Sequence, residues 1–380
     1  MPLFLDHFGY EAEFFSKAHG RINLLGDQTN YNGGYNLCTV TPESIRVRLS
    51  SRNDQTVDII SETTTANAAF VSQPHKYRLG EETPRGEWVD YVLGVTKMLR
   101  RQEYPISGFD AAITSNVPAG KGLASGCALM VAMLKALRSA FDLSYTDFEL
   151  VFLCQNIDTK FVRNNCGFID PLACSLGEFG RGMFIDTKTM EFRLIDLPSA
   201  NFDLVVVNSD RTYDDPINPS TERQRECASA CRLLGVDQLR DLSADDLSKL
   251  EELPQTLRHR VRHVVTENER VLAAIDALER RNVKELGHLL DASHASLEKD
   301  FEVSRDEIDT MVSLAKRERG VYGARMAGSA GEGSVTILTK PNSSAQVIPQ
   351  LSCAFAKKAG HPPTVLVPTY AQKRQRVRSV

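Results

Sequence analysis

Strand signals and helix signals alternate along this 380-residue chain, and the alternation limits the folds open to it. Polar and apolar residues alternate over residues 45–51 (IRVRLSS), and β-branched residues are concentrated in residues 56–61 (TVDIIS), so both segments are predicted strands. Apolar residues keep helical spacing over residues 88–101, which predicts a helix. The pattern therefore predicts an α+β domain with mostly antiparallel strands.

Two further helices are predicted before the midpoint of the chain, and the second half is predicted to be largely helical. A helix is expected over residues 123–140, and a capping box formed by Ser144 and Asp147 is expected to open the next helix, which runs to residue 162. A second capping box, Ser304 with Glu307, is expected to open a helix that ends near residue 319. The other predicted elements are strands at residues 204–208 and 334–338 and helices at residues 261–279 and 283–301.

Charge and composition narrow the possible partners. The formal net charge is −4 and no long lysine or arginine run occurs, so neither nucleic acid nor an anionic membrane surface is expected as the main partner. The chain has no long apolar stretch and no basic leader at its start, so a soluble, cytoplasmic protein is expected. Its eight cysteines form no C-x-x-C pair, which predicts reduced, buried thiols rather than disulfides or structural zinc.

Polar side chains are dense between Gly20 and Leu37 (GRINLLGDQTNYNGGYNL). Residues 22–25 are predicted to form a short buried strand, and residues 32–34 (Asn-Gly-Gly) are predicted to supply positive-φ positions for a turn. The side chains expected to face outward between them are Asp27, Gln28 and Asn30. This arrangement suits a hydroxyl-rich ligand, and the alternative, from the segment alone, is a plain hairpin with a polar tip.

A glycine-bearing loop, Pro118 to Gly126, joins a predicted strand to the helix that follows. Such a loop points backbone N–H groups and the positive end of a helix at its ligand, which is commonly a phosphate. Gly120 and Gly122 allow close backbone approach, Ser125 offers a hydroxyl and Lys121 adds charge. The spacing matches neither a Walker A loop nor a Rossmann fingerprint, and the alternative is a loop that merely closes a strand-to-helix turn.

Asp170 stands in an apolar context at the end of the segment NCGFID. Phosphoryl transfer from a nucleotide needs a group that orients or deprotonates the acceptor hydroxyl, and a carboxylate commonly serves. Asp170 is therefore the candidate for that role. The alternative is a helix-capping aspartate, with Pro171 at the first helical position.

Together and in this order, the segments resemble the galactokinase branch of the GHMP small-molecule kinase superfamily, which also contains homoserine, mevalonate and phosphomevalonate kinases. The resemblance covers nearly the whole chain. The matching segments are Gly20 to Gly34 with G-R-[VI]-N-L-I-G-E-H-x-D-Y-N-G-G, Trp88 to Val95 with W-x-N-Y-V-x-G-V, Pro118 to Cys127 with P-x-G-x-G-L-S-S-S-A, and Cys166 to Pro171 with C-G-I-M-D-Q. Residues 260–271 and 293–309 are similar to galactokinase helices as well.

The resemblance implies a two-domain GHMP kinase fold of the α+β class with the active site in the cleft between the domains. It implies an N-terminal domain of residues 1–200, a C-terminal domain of residues 201–367, and a last strand, residues 368–380, that returns to the first domain. The implied reaction transfers the γ-phosphoryl group of ATP to the anomeric hydroxyl of a sugar such as galactose, with magnesium as cofactor. The implied partner is a small-molecule sugar, and the protein is expected to be a monomer or a homodimer.

By position, the resemblance also assigns roles to residues. Asp170 matches the catalytic aspartate, and Arg21 matches the arginine beside it that stabilises charge on the transferring group. Asp158 falls where the family has a magnesium-binding glutamate, and Ser125 is the loop hydroxyl expected to reach the metal. The implied sugar-site residues are Asp27, Gln28, Asn30, Gly167 and Ser220. The implied nucleotide-site residues are Trp88, Pro118, Gly120, Lys121, Gly122, Leu123, Ala124, Ser125 and Gly126.

The chain departs from the family in its ligand-binding segments. The family's glutamate, histidine and aspartate become Asp27, Gln28 and Asn30, and the tyrosine that packs on the sugar aligns with Ser220. A site built from polar groups rejects analogues that leave those groups unpaired, so these changes are expected to alter which sugar fits. A larger, substituted or charged sugar is expected in preference to plain galactose.

The phosphate segments differ too, because the family serine expected to touch magnesium aligns with Gly126. The family's G-G-G-F-G-G segment is represented by residues 328–333 (GSAGEG), where Glu332 either lies near the phosphates or turns to solvent. Two other readings stay open: a catalytically weak sensor that binds ATP and sugar, and a kinase for a non-sugar alcohol. Retention of Arg21 together with Asp170 favours the enzyme, because a chain without catalysis has no physical need for a buried arginine beside an aspartate.

Overall fold

The computed structural model describes residues 2–64, 69–164, 167–211, 219–328 and 332–367. The chain divides into two compact units, the first formed by Met1–Arg21 and Thr41–Gly177 and the second by Ile22–Val40 and Glu178–Val380. The predicted division at residue 200 instead placed residues 22–40 and 178–200 in the first domain. The strand predicted for residues 368–380 lies outside the described residues.

The first unit combines a mainly antiparallel sheet with helices. Its elements are α1 (Pro2–Phe8), part of β1 (Phe14–Leu25), part of β2 (Tyr35–Ser51), β3 (Thr56–Thr64), β4 (Ala69–Val71), β5 (His75–Arg78), α2 (Asp90–Arg101), β6 (Phe109–Ser115), α3 (Ser125–Ala140), α4 (Asp147–Ile157) and α5 (Ile169–Leu176). The strand order is β4-β3-β6-β2. Strand β6 pairs antiparallel to β2 and parallel to β3, because the connection from β3 to β6 is long enough to include α2.

The second unit contains the other part of β2 and most of the helical mass. Its remaining elements are β7 (Arg181–Asp186), β8 (Glu191–Asp196), β9 (Asp203–Asn208), α6 (Pro219–Leu234), α7 (Gln255–Glu279), α8 (Val283–Lys299), α9 (Asp306–Arg317), β10 (Val321–Ala327), β11 (Ser334–Thr339), α10 (Ser344–Ala359) and β12 (Thr364–Val367). Residues 35–39 of β2 pair with β7, which pairs with β8, and a separate sheet has the order β10-β11-β9-β12. The predicted elements of the second half are thus confirmed.

The helix starts differ in detail from those predicted. Helix α4 is capped by Thr146, whose hydroxyl accepts from the Glu149 N–H while the Glu149 carboxylate accepts from the Thr146 N–H, so the capping box is not at Ser144. A π-helical turn, Asp158–Val162, continues α4. Helix α9 has no side-chain cap, because the hydroxyl of Ser304 donates to Asp309 instead of capping the helix.

The turn between β1 and β2 uses left-handed backbone at one of the three predicted positions, Gly33, and at two others. Gly26 (φ 90°), Gln28 (φ 65°) and Gly33 (φ 69°) are left-handed, whereas Asn32 and Gly34 are not. A Cβ at Gly26 would lie 2.3 Å from the carbonyl oxygen of Tyr35, so this close approach admits only glycine.

Cysteine burial agrees with the prediction from composition. Among the described cysteines, five are buried, Cys231 is half-buried and Cys353 is exposed. No helix within the described ranges is both long and apolar enough to cross a lipid bilayer.

Candidate active site

Arg21 and Asp170 form an ion pair within the first unit. Arg21 lies in β1 and is the last residue of that strand that belongs to the first unit. Asp170 is the second residue of α5. The Arg21 Nε donates to Asp170 Oδ1 at 2.8 Å, and a second guanidinium nitrogen contacts the same oxygen. The positive end of α5 adds to the favourable field at the carboxylate. Asp170 makes no side-chain cap, since its helix has Phe168 as N-cap without a side-chain hydrogen bond.

The geometry leaves one oxygen of the aspartate for another partner. Both contacts from Arg21 use Oδ1, and no hydrogen bond from the described residues reaches Oδ2 of Asp170. The Asp170 side chain is 18% exposed and that of Arg21 is 11% exposed, so the pair is largely shielded from solvent but remains accessible at its surface. This carboxylate can therefore accept a hydrogen bond from an incoming hydroxyl.

Arg21 also holds the glycine-bearing loop. Its backbone N–H donates to the carbonyl of Leu123 at 3.0 Å, and its guanidinium donates to the carbonyl of Gly122 at 3.3 Å. Next to it, Gly20 has no room for a side chain, because a Cβ would lie 2.8 Å from the Leu123 oxygen. One arginine thus ties the predicted phosphate loop to the predicted catalytic carboxylate.

The loop has the backbone shape of an anion site. Gly120 (φ 67°), Gly122 (φ 75°) and Ala124 (φ 56°) are left-handed, and α3 begins at Ser125 immediately after them. Left-handed turns before a helix turn successive N–H groups toward one side, which favours a phosphate. Pro118 and Lys121 are half-buried, and Leu123 is buried. The structure therefore brings the predicted nucleotide loop, Arg21 and Asp170 together in one unit.

Two further predicted residues of this unit occupy distinctive positions. Trp88 is half-buried, and its ring packs edge-on against the ring of His75 at 5.2 Å between centroids. Asp158 is buried and begins the π-helical turn after α4. π-Helical turns occur frequently at functional sites, in agreement with a role for Asp158.

In the second unit, Asp27 is part of a buried polar network. Arg325 of β10 is fully buried and contacts Asp27 Oδ2, and it also donates to the carbonyl of Leu24 at 2.7 Å. The amide of Asn23 contacts the other carboxylate oxygen. Asn36 donates to the Asn23 side-chain oxygen at 2.8 Å. The predicted sugar ligand Asp27 is therefore fixed in place and its charge is balanced.

Helix α7 supports the same turn through three backbone groups. Glu267 accepts from the Gly26 N–H at 2.8 Å, Asn268 accepts from the Tyr35 N–H at 2.8 Å, and His263 Nε2 lies 3.1 Å from the Asp27 carbonyl oxygen. Burial alone raises the pKa of Glu267, but neighbouring cations, Arg270 foremost, lower it to about 2. Burial lowers the pKa of His263, so this imidazole is neutral.

The other predicted sugar-site residues have the following placements. Gln28 is half-buried, and its side-chain oxygen accepts from the Tyr31 hydroxyl at 2.8 Å, so its amide hydrogens remain to be offered. Asn30 is half-buried. Gly167 is half-buried and left-handed (φ 75°) ahead of α5. The backbone of Ser220 lies in the first turn of α6, and its side chain lies outside the described residues, as do residues 329–331 beside Glu332.

Sequence reasoning missed the supports of this turn. The segment from residue 260 to residue 271 was matched to the family as a helix, but the roles of His263, Glu267 and Asn268 were not predicted. Arg325 was missed as well. The signal in the sequence that could have predicted these roles is the presence of polar residues on an otherwise apolar helix face. A charged residue that is buried there must have a partner elsewhere in the chain.

Comparison with known proteins agrees with the geometry. Residues 90–178 match the family described as GHMP kinases N terminal domain, and residues 274–357 match GHMP kinases C terminal. Residues 2–50 match the galactokinase galactose-binding signature.

Solved structures give the same assignment. Lactococcus lactis galactokinase, solved in complex with galactose, is 26% identical with a TM-score of 0.84, over 96% of each chain. Methanococcus jannaschii mevalonate kinase is 16% identical with a TM-score of 0.66, over 94% of this chain and 97% of that one. Streptococcus pneumoniae phosphomevalonate kinase is 12% identical with a TM-score of 0.62, over 94% of this chain and 98% of that one, and at such identities the likeness shows the fold alone.

The family matches in both halves of the chain, together with the galactokinase signature and fold, show that the chain belongs to the galactokinase branch of the GHMP kinase superfamily. It has the two-domain α+β fold of that superfamily.

Proposed function

We propose that this protein transfers the γ-phosphoryl group of ATP to the anomeric hydroxyl of a sugar, and that the sugar is a modified or related one rather than plain galactose. The observation that carries the proposal is the Arg21–Asp170 pair, which is joined to the phosphate loop and leaves Asp170 Oδ2 for a hydroxyl. Family membership supports a phosphotransferase with a sugar acceptor.

In the proposed reaction, Asp170 orients the sugar hydroxyl and takes its proton as the new oxygen–phosphorus bond forms. The bond from the γ-phosphorus to the bridging oxygen breaks, and ADP leaves with the bonding electrons. Arg21 stabilises the negative charge on the transferring group while it holds the Asp170 carboxylate in place. Backbone N–H groups of the loop bind the phosphates.

Magnesium is part of the proposal. The oxygen donors at Asp158 and Ser125 have the chemistry that this ion prefers, since magnesium is usually held by one or two carboxylates together with substrate phosphates. When bound, it would neutralise phosphate charge. The residues that would hold it belong to the same unit as the phosphate loop.

The sugar preference follows from the charge at the turn between β1 and β2. Asp27 is the single carboxylate between Gly26 and Asn36, and Arg325 balances its charge. Gln28 offers amide hydrogens, and Asn30 is neutral. Such a turn repels an anionic or carbonyl-bearing substituent less than a turn with two unbalanced carboxylates would.

A coupled assay of ADP release tests the proposal, with galactose, N-acetylgalactosamine, uronic acids and sugar phosphates as acceptors. The expected result is turnover of a substituted or charged sugar with a kcat/KM above that of galactose. A clear preference for plain galactose would overturn the substrate assignment. Saturable ATP and sugar binding with no ADP release from any sugar would overturn the kinase assignment in favour of a sensor.

Substitution Asp170→Asn tests the assigned role. Removing the proton acceptor while keeping the shape is expected to lower turnover by about 10²–10⁴-fold, with ATP binding retained. The matched control is Asp147→Asn, which breaks an arginine–aspartate pair of the same unit (Arg138 to Asp147, 2.7 Å) away from the loop. Turnover by Asp170→Asn at the level of the control would contradict the role.

A further inference from the structure

The side chain of Gln28 is held by a hydrogen bond from within its own turn. The Tyr31 hydroxyl donates to Gln28 Oε1 at 2.8 Å, and among the described residues this is the only hydrogen bond that the hydroxyl makes. Tyr31 packs against the hydrophobic core of the second unit, and burial raises its pKa, so the hydroxyl keeps its hydrogen at neutral pH. If the amide nitrogen of Gln28 faced the phenol instead, that hydrogen would have no acceptor. The bond therefore fixes the amide with its oxygen toward Tyr31.

The backbone of Gln28 is held as well. It is left-handed (φ 65°), a conformation that costs free energy in a residue with a side chain. The Asn32 amide donates to the Gln28 carbonyl at 3.0 Å, and His263 lies 3.1 Å from the preceding carbonyl, that of Asp27. Strained backbone that its surroundings hold in this way is typical of ligand-binding segments. Since no described residue accepts from the Gln28 amide nitrogen, its two hydrogens are the polar groups that this side chain has left for a ligand.

We infer that Tyr31 makes Gln28 an obligate hydrogen-bond donor, and that this donor selects a sugar whose substituent carries an acceptor-only oxygen, a carbonyl or a carboxylate; the inference rests on the proposed function. An amide that is free to rotate offers either its oxygen or its nitrogen, but an amide whose oxygen is taken offers N–H groups alone. A hydroxyl can accept from those groups, but its own hydrogen then needs a further acceptor. A carbonyl or carboxylate oxygen has no such hydrogen to place.

The difference from the family lies at Gln28. The family has a histidine at this position, and the tyrosine of the same motif is retained as Tyr31. A neutral imidazole has one N–H donor and one acceptor nitrogen, whereas the oriented amide has two hydrogens on one nitrogen. Asp27 beside it adds little acceptor capacity, because one of its carboxylate oxygens contacts Arg325 and the other contacts Asn23. This part of the turn is therefore matched best by a ligand oxygen that accepts hydrogen bonds and brings no hydrogen.

The direct test is Tyr31→Phe, which keeps the ring and frees the Gln28 amide to rotate. Calorimetry without ATP measures Kd for galactose, for N-acetylgalactosamine, which carries a carbonyl, and for galacturonic acid, which carries a carboxylate. We expect the wild-type protein to bind at least one substituted sugar more tightly than galactose, and the two sugars distinguish the source of the oxygen. Tyr31→Phe is expected to lower that preference about tenfold while Kd for galactose changes little. The control is Tyr77→Phe, which removes a buried hydroxyl of the first unit that lies 3.0 Å from Thr96 and should leave the preference unchanged.

Substitution Gln28→Glu tests the donor itself. A carboxylate at position 28 still accepts from Tyr31 but has no hydrogen to give at neutral pH, so the preference for a substituted sugar is expected to be lost and galacturonic acid to be repelled. Because no donor then remains to be oriented, adding Tyr31→Phe to Gln28→Glu is expected to change the preference no further. This double-mutant cycle measures the coupling between the two side chains.

The outcomes separate this inference from the proposed function. An unchanged preference in Tyr31→Phe, equal weakening of all three sugars, or additive effects of the two substitutions overturns the positioning role of Tyr31 even when the enzyme phosphorylates a sugar. Tightest binding of galactose by the wild-type protein overturns the assigned substituent. A preference that depends on Tyr31, without ADP release from any sugar, instead overturns the proposed function and leaves the positioning role standing.

Discussion

Arg21 makes three contacts that no other residue type can make together. A lysine has the charge but lacks the planar fork that reaches both Asp170 and the Gly122 carbonyl, and its ammonium group is strongly hydrated. Gly20 next to it is equally specific, because Leu123 and Thr41 oxygens leave no space for a methyl group. At this scale, the Gly-Arg pair of the sequence fixes how close the phosphate loop comes to β1.

Gly20→Ala is expected to push the phosphate loop away from β1. We expect a loss of about 1–3 kcal/mol in the free energy of unfolding, because the Leu123 carbonyl must move and its hydrogen bond with the Arg21 N–H must lengthen. Denaturant unfolding measures the loss, and Trp88 emission measures the accompanying fall in ATP affinity. Wild-type values for both quantities would contradict the tight contact.

At the scale of elements, the turn between β1 and β2 is held by α7 and β10. Helix α7 binds three backbone groups of the turn, and β10 supplies the buried cation for Asp27. Because each of these supports comes from a regular element, rigid structure positions the turn in addition to the hydrogen bonds within the turn itself. Elements more than two hundred residues away in sequence therefore shape the candidate sugar site.

Arg325→Met is expected to destabilise the second unit by about 3–5 kcal/mol, because the Asp27 carboxylate, which is 14% exposed, loses its fully buried partner. Asp27→Asn in the same chain should recover part of that loss, and a double-mutant cycle by denaturant unfolding measures the coupling. The control is Arg193→Met, whose exposed pair with Glu279 (3.7 Å) should cost about 1 kcal/mol or less. Additive effects at Arg325 and Asp27 would contradict the buried pair.

For the whole molecule, burial of neutral histidines in both units makes stability depend on pH. Burial, together with the nearby charge of Lys17, lowers the pKa of His19 to about 4, and burial lowers that of His263. His19 Nδ1 also lies 2.8 Å from the Thr41 carbonyl oxygen. The folded protein thus binds fewer protons than the unfolded chain below the ordinary histidine pKa, so stability rises with pH across this window.

Acidification from pH 7 to pH 5 is expected to lower the free energy of unfolding by about 1–2 kcal/mol through His19. Urea unfolding at the two pH values measures the loss, and His19→Gln should reduce it. Glu267 contributes a separate loss of stability at lower pH. Its pKa in the folded protein is about 2, so its ionised carboxylate stabilises the fold above the ordinary glutamate pKa. This stabilisation is lost as the pH falls toward 2. An unchanged acid dependence in His19→Gln would contradict the role of the buried imidazole.

Much of the candidate site could be predicted from local sequence. The spacing around Gly120 and Gly122 predicts a loop that enters a helix, and both glycines are left-handed as that loop requires. Helix starts were harder, since Thr146 rather than Ser144 caps α4 although both are good capping residues. The free energies of capping by two neighbouring residues of this kind differ by only a fraction of a kcal/mol, so the packing of the helix decides which residue caps it.

The sequence by itself determined the class of this protein, because the Arg21 segment, the glycine loop and the Asp170 segment carry their chemistry in residue types and spacing. Only the tertiary structure decided which groups meet: that Arg21 leaves Asp170 Oδ2 open, that Arg325 balances Asp27, and that the Leu123 carbonyl fills the space beside Gly20. The physical reason is that charge pairing and excluded volume act between atoms that are close in space, whatever their separation along the chain.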